Sequence, residues 1–309
     1  MLRVLGFLVL MVPMNLALGG SIVKLAASIL PAPGTERAAG WLAHTIPGAI
    51  FWSILAGAQA IPDAADWPIL PTLALTGAAL ASSLLLARVT SAPARIASGS
   101  AVVILLVSTV LVCGASVNRA ERGFLDLAPG FGMGPSFVPR TIHVALAAVA
   151  VAGAIVAIRG LVVRRRDPGY GDSTLRLGVR WFVVPTALQM AVGFYFLLAV
   201  PSPVRRTILG GSPAATAELI AGILLAIASL TVMTQASSAD EPRRGVILGA
   251  ILLAATLAVM AGLRSEIAAG YGAPATPAAR GGPLGGALLA VTALAEGWWL
   301  ARRIATPRE

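Results

Sequence analysis

The feature that most constrains this chain is its succession of long apolar runs. An α-helix needs about 20 mostly apolar residues to cross the hydrocarbon of a bilayer. Nine candidate spans meet that length, approximately 4–29, 39–61, 69–88, 97–117, 138–162, 177–200, 215–236, 244–264 and 283–302. They are separated by Pro31-Ala32-Pro33-Gly34, Pro62-Asp63, a loop at 118–137, the Arg164–Asp172 run, Pro201–Pro203, Ser237–Arg244 and a Pro/Gly/Ala stretch at 273–284. The runs are apolar on every side, as helices in lipid are, and lack the single stripe of a soluble surface helix. The expected fold is all-α: one polytopic transmembrane helix bundle that takes in residues 1–309.

Composition closes off the soluble alternative. Charged residues make up 12% and hydrophobic ones 57%, with mean hydropathy +0.86. A soluble domain carries about 25% charge, roughly twice as much. The formal net charge of +10 would point to nucleic acid in a soluble protein. Here the arginines sit mostly between apolar runs, where they mark cytoplasmic loops and anionic headgroups. The expected partner is therefore the lipid bilayer, with no nucleic acid. Among 23 basic residues Lys24 is the one lysine. With heavy Ala, Gly and Val usage, that is the composition of a GC-rich bacterial genome and suggests the bacterial cytoplasmic membrane. The lone Cys113 excludes an internal disulfide and any CxxC metal or haem-attachment motif. No Walker A, HExxH, GxSxG or dinucleotide fingerprint occurs, so nothing points to hydrolytic chemistry.

Orientation follows from the basic residues near span ends. With nine spans, the odd-numbered connections and the C-terminus share a side. Thirteen arginines fall there, among them Arg37, Arg88, Arg95, Arg159 and the Arg164-Arg165-Arg166 cluster; eight, including Arg3, Arg140, Arg205 and Arg264, fall opposite. The excess places the N-terminus outside and the C-terminus in the cytoplasm. Arg3, an apolar core and Ala17-Leu18-Gly19 also resemble a signal peptide. The apolar run continues through Ile22–Leu30, beyond the length of such a core, which favours a retained helix over an eight-span mature chain.

Polar groups are costly in hydrocarbon, so each one inside a span is a candidate for function. The two histidines, His44 and His143, each fall near the start of their span, and the two starts lie on opposite faces of the membrane, too far apart to clamp one haem. A two-haem, bis-histidine wire would need four. One axial histidine with a methionine is the remaining arrangement, and Met260 lies at a depth comparable with His143. The bland reading of His143 is a neutral imidazole bonded to a neighbouring helix. Glu296, before Gly297-Trp298-Trp299, is a candidate proton or ion site, unless it reaches the interface near Arg302 and Arg303. Glu218 reads as a helix cap. Lys24 and Arg180 are expected to snorkel, and the tryptophans to form interfacial belts. Pro13, Pro47 and Pro185 fall inside spans, where a broken helix can mark a substrate site. The Gly77-Ala-Ala-Leu-Ala81 spacing suggests close helix packing.

Two stretches carry a resemblance. Pro135-Ser-Phe-Val-Pro-Arg-Thr-Ile-His143-Val-Ala-Leu-Ala-Ala-Val-Ala-Val-Ala-Gly153 resembles the helix of cytochrome bd-type oxidase subunit I that bears the low-spin haem histidine. Gly178-Val-Arg-Trp-Phe and Gln189-Met-Ala-Val-Gly-Phe-Tyr-Phe-Leu-Leu-Ala resemble short bacterial membrane proteins related to that subunit. The similarity extends over 135–200. The family's Gly-Arg-Gln-Pro-Trp quinol-loop run is absent, and the first span lacks the histidine that serves the oxygen-reducing haems. The resemblance implies at most one low-spin haem b on His143, beside redox subunits or quinol, and no oxygen reduction. Two other classes stand beside this one: a structural or assembly subunit without its own site, and a small-solute transporter.

Overall fold

The apolar runs fold as helices because a backbone in lipid must satisfy its amides and carbonyls within its own segment. The computed structural model describes the backbone of residues 2–30, 35–60, 69–86, 91–125, 135–270 and 282–305, and these are all-helical apart from turns. The helices are α1 (Leu2–Ile29), α2 (Thr35–Ala60), α3 (Ile69–Leu86), α4 (Ala92–Leu125), α5 (Phe137–Arg164) and α6 (Pro168–Ala199). A short α7 (Ser202–Arg206) and a π-turn at Thr207–Gly211 lead into α8 (Pro213–Ala236), α9 (Pro242–Gly270) and α10 (Gly282–Ala305). Among the described residues, α1, α2, α4, α5, α6, α8 and α9 are long and apolar enough to cross a bilayer, and α3 has a shorter apolar stretch, Ala74–Leu85. The chain is a helical integral membrane protein. The breaks at 31–34 and 62–63, most of that at 273–284, and Arg88, Arg280 and Arg308 lie outside the described residues, as does the side chain of Cys113.

Two helix ends differ most from expectation, and both show that helices do not stop where hydropathy does. α4 runs on to Leu125, because Asn118-Arg-Ala-Glu-Arg122 is polar yet free of proline and glycine. α6 begins at Pro168, so the break shrinks to three residues. Asp167 caps it by accepting the Tyr170 amide at 3.0 Å, and Pro168 occupies the first turn, where its missing amide costs nothing. Pro13, Pro47 and Pro185 all sit within continuous helices.

α1 is the central helix, touching α2, α4, α5, α9 and α10. Its buried Leu16, Val23 and Leu18 join Leu42, Ile50, Val102 and Val156 in the main core. A second core, around Phe182, Met233 and Val246, joins α5 and α6 to α8 and α9. A methyl group on Gly153 or Gly160 of α5 would overlap the backbone of α6, and one on Gly171 or Gly178 of α6 would overlap that of α5. Each pair is seven residues apart, two helical turns, so the helices close on each other over most of their length. Gly19 of α1 meets the Ala148 carbonyl of α5 in the same way. The close packing expected at Gly77 is not seen: among the described residues a Cβ at that position meets nothing within 4 Å.

Polar contacts gather six helix ends on one face. Arg37 pairs with Asp167 at 3.1 Å, Arg164 with Asp172 at 2.6 Å, and Arg164 donates to the Asp240 carbonyl at 3.2 Å. Trp41 Nε1 donates to the Arg303 carbonyl at 3.0 Å. The start of α2, the α5–α6 and α8–α9 turns and the end of α10 therefore share a side, as the alternation of spans requires.

Gly178→Val forces a side chain into the backbone of α5 and is expected to destabilise the bundle by about 1–3 kcal/mol. Gly77→Ala is expected to be neutral or slightly stabilising. Thermal midpoints of the detergent-solubilised variants check the contrast, and equal midpoints would remove the glycine contact from the account.

Candidate functional site

His143 stands six residues inside the first residue of α5, about 9 Å from that end. Its imidazole is largely enclosed by one face of α6. The Nε2 atom pairs with the Gln189 side-chain amide at 3.2 Å. The ring lies 6.2 Å from that of Phe196, and the place a Gly193 side chain would take is 3.4 Å from Cε1 and 3.5 Å from Nδ1. Gln189, Gly193 and Phe196 recur at helical spacing, so they present one stripe of α6 to the histidine. Arg140, one turn earlier, covers the Phe196 ring at 5.4 Å. Nδ1 is buried and has no hydrogen-bond partner. The Gln189 amide nitrogen faces Nε2 and donates to it, so in this arrangement Nδ1 carries the ring proton. With the Gln189 amide turned over, Nε2–H would donate to its oxygen and Nδ1 would hold the free lone pair, which is the orientation of a metal-ligating histidine. The missing side chain at Gly193 leaves space beside that nitrogen.

Met260 does not share these neighbours. It packs against Gly222 of α8 and joins the cluster of Val204, Ile208, Ala215 and Leu263, to which α6 contributes Leu197. Measured along the helices from the shared face, Met260 and His143 lie at similar depth, about 27 and 31 Å. His44 is exposed on α2 and about 20 Å from His143 along the axes. The two histidines cannot meet at one group.

The other intramembrane polar residues fall into separate places. Glu296 is 6% exposed, with Oε2 unpartnered, so it does not reach toward Arg302 and Arg303 but faces the bundle with Thr292 one turn away. Glu218 faces Gly262 of α9, while the cap of α8 is Ser212, accepting the Ala215 amide at 3.3 Å. Lys24 does not snorkel: it is 6% exposed and its Nζ has no partner. Arg180 is exposed, as expected. Trp298 is exposed with Arg302 stacked on it at 4.2 Å, which suits an interfacial belt, whereas Trp41 is buried.

Sequence reasoning missed Arg159 and Gln189. Arg159 is 3% exposed; it donates to the Ile304 carbonyl and lies 5.9 Å from the Trp41 ring. The carbonyls of a last helical turn lack intrahelical donors, so Arg159 and Trp41 together cap the end of α10. The visible signal was Arg159 lying within an apolar run, five residues before Arg164. Setting it aside leaves the arginine count at twelve against eight, with the same sign. Gln189 carried a signal only as a polar residue opposite His143. Among the described residues no group of three or more His, Cys, Asp or Glu could hold a metal ion. No family model matches the chain, and no curated protein matches it significantly.

Arg159→Leu removes a charge-assisted bond to a buried carbonyl and is expected to cost about 1.5–3 kcal/mol. Trp41→Phe keeps the ring, loses one neutral bond and is expected to cost about 1 kcal/mol. Thermal midpoints should fall in that order. An Arg159→Leu protein as stable as the parent would show that the α10 cap carries no weight.

Proposed function

We propose that this chain is a redox subunit of the bacterial cytoplasmic membrane, in which His143 holds one low-spin haem b and no oxygen-reducing centre is present. The observation that carries this reading is the buried, unpartnered ring nitrogen of His143 beside Gly193. The two stretches that resemble the cytochrome bd-type subunit and its relatives are those that α5 and α6 bring together there. His143 and Gly193 fit the ligand end of the group: Gln189 orients the ring, and Phe196 with Arg140 shields it. Bound haem supplies one-electron transfer to a redox subunit or quinol. Met260, at similar depth but in another cluster, is the candidate for the second ligand position.

In the same reading all nine long helices cross the membrane. The face that gathers Arg37, Arg164, Arg165, Arg166, Arg243, Arg244, Arg302 and Arg303 is assigned to the cytoplasm, with the N-terminus outside.

Purified protein made under haem-replete conditions is expected to show a Soret band and a reduced α-band, both lost in His143→Ala. In Met260→Leu the band positions shift if Met260 is the second ligand. A colourless parent protein would refute the haem reading and move the chain to the scaffold or transport classes. Orientation is checked separately: a fluorescent protein fused to the C-terminus is expected to fluoresce and a periplasmic phosphatase there to be inactive.

A further inference from the structure

Among the described residues, Lys24 is the least explained charge. It lies on α1, five residues from Ile29, about 7.5 Å inside the end of the bundle where α1 leads into α2. Its side chain is 6% exposed and borders a small cavity with Ser21, Ala43, Ser83 and Gly99, so that α1, α2, α3 and α4 all contribute. The cavity has room for about one water-sized group. Nζ has no hydrogen-bond partner, and among the described residues no carboxylate forms an ion pair with it. The charge that does act on it is a like one, from Arg95, exposed on α4 one turn before Gly99. In sequence, the connecting segments 31–34 and 87–90 contain no acidic residue.

An ammonium group taken from water without a counter-charge is strongly unfavourable. Among the described residues no anion pairs with Lys24, and a second cation, Arg95, stands at the edge of the cavity. We propose that the cavity is a binding site for an anionic phosphate oxygen, which enters from the end of the bundle past Arg95 and seats on Lys24 Nζ. Three N–H donors face an entering oxygen there. The hydroxyls of Ser21 and Ser83, which donate to Ala17 and Leu80 carbonyls at 2.6 and 2.8 Å, can each swing their hydrogen to it. The depth, one to two helical turns below the helix ends, is that of lipid headgroups, and cationic pockets between helices at that level suit anionic lipid. A free phosphate offers the same oxygen.

The test uses the full chain in mild detergent and in nanodiscs. Native mass spectrometry compares retention of phosphatidylglycerol with that of phosphatidylcholine, and thermal midpoints are read with and without inorganic phosphate. The parent protein is expected to retain phosphatidylglycerol about tenfold better than Lys24→Met does, the loss of one charge-assisted contact. Lys24→Arg should keep the preference. Ala43→Val, which fills the cavity but leaves the charge, should weaken it and serves if Lys24→Met does not fold. Stabilisation by inorganic phosphate in the parent but not in Lys24→Met, without lipid preference, would assign the site to a soluble oxyanion. If parent and Lys24→Met respond alike to both lipids and to phosphate, the cavity holds water alone and the proposal is overturned. None of these readouts depends on haem.

Discussion

The backbones of α5 and α6 touch, and most of what is specific about this protein depends on that contact. Between helices in a bilayer there is no hydrophobic driving force, because lipid tails are as apolar as leucine. Association must come from dispersion at short range, which is lost within an ångström of separation. Gly153 and Gly160 on one helix, and Gly171 and Gly178 on the other, permit that approach. The turn between them is fixed independently, by the Asp167 cap and Pro168, so the register of the hairpin is set at its closed end and held along its length. At the open end the same register lays Gln189, Gly193 and Phe196 against His143. A one-turn slip would replace that stripe with others. The histidine's surroundings are thus a consequence of glycine contacts two to five turns away.

The last helix is attached in a different way. α10 packs on α1, α2 and α5, but its final turn is held by hydrogen bonds from side chains to its own unsatisfied carbonyls. Arg159 reaches it from α5 and Trp41 from α2. The arrangement solves two problems together: a buried guanidinium finds acceptors, and the end of a helix finds donors. The surface pair Arg37–Asp167 nearby is largely exposed and adds little stability, although it marks which helix ends share a side.

The positions of the helices were legible in the sequence because run length and hydropathy are the physical requirements for crossing a bilayer. Their ends were less so. At α4 and α6 the boundary is decided by capping and by proline and glycine, whereas the charge of the Arg164–Asp172 run read as a break. Close packing was assigned to Gly77, where small residues recur at spacing four, yet the real contacts use glycines seven apart on two helices that face each other. Small residues permit approach; only the identity of the neighbouring helix decides whether approach happens. The same limit applies to the site. His143 was legible as a polar group in a span, but its partner Gln189 was not, since nothing in one chain's order says which face of α6 turns toward α5.

Lys24 and Arg159 show where that limit matters most for function. Both are cations inside the ends of apolar runs; Lys24 was expected to snorkel, and Arg159 was counted with the basic residues of the cytoplasmic side. A long basic side chain can snorkel only if its helix face points outward. α1 is surrounded by five other helices, so Lys24 has no outward face, and Arg159 is turned toward α10. The two burials are nonetheless unequal. Arg159 is compensated by a carbonyl that needed a donor, whereas Lys24 meets serine oxygens already bonded to their own helix and a second cation beyond. A fold can tolerate the first as structure. The second leaves a buried amine that must either give up its proton or meet an anion, at the end of the bundle opposite His143.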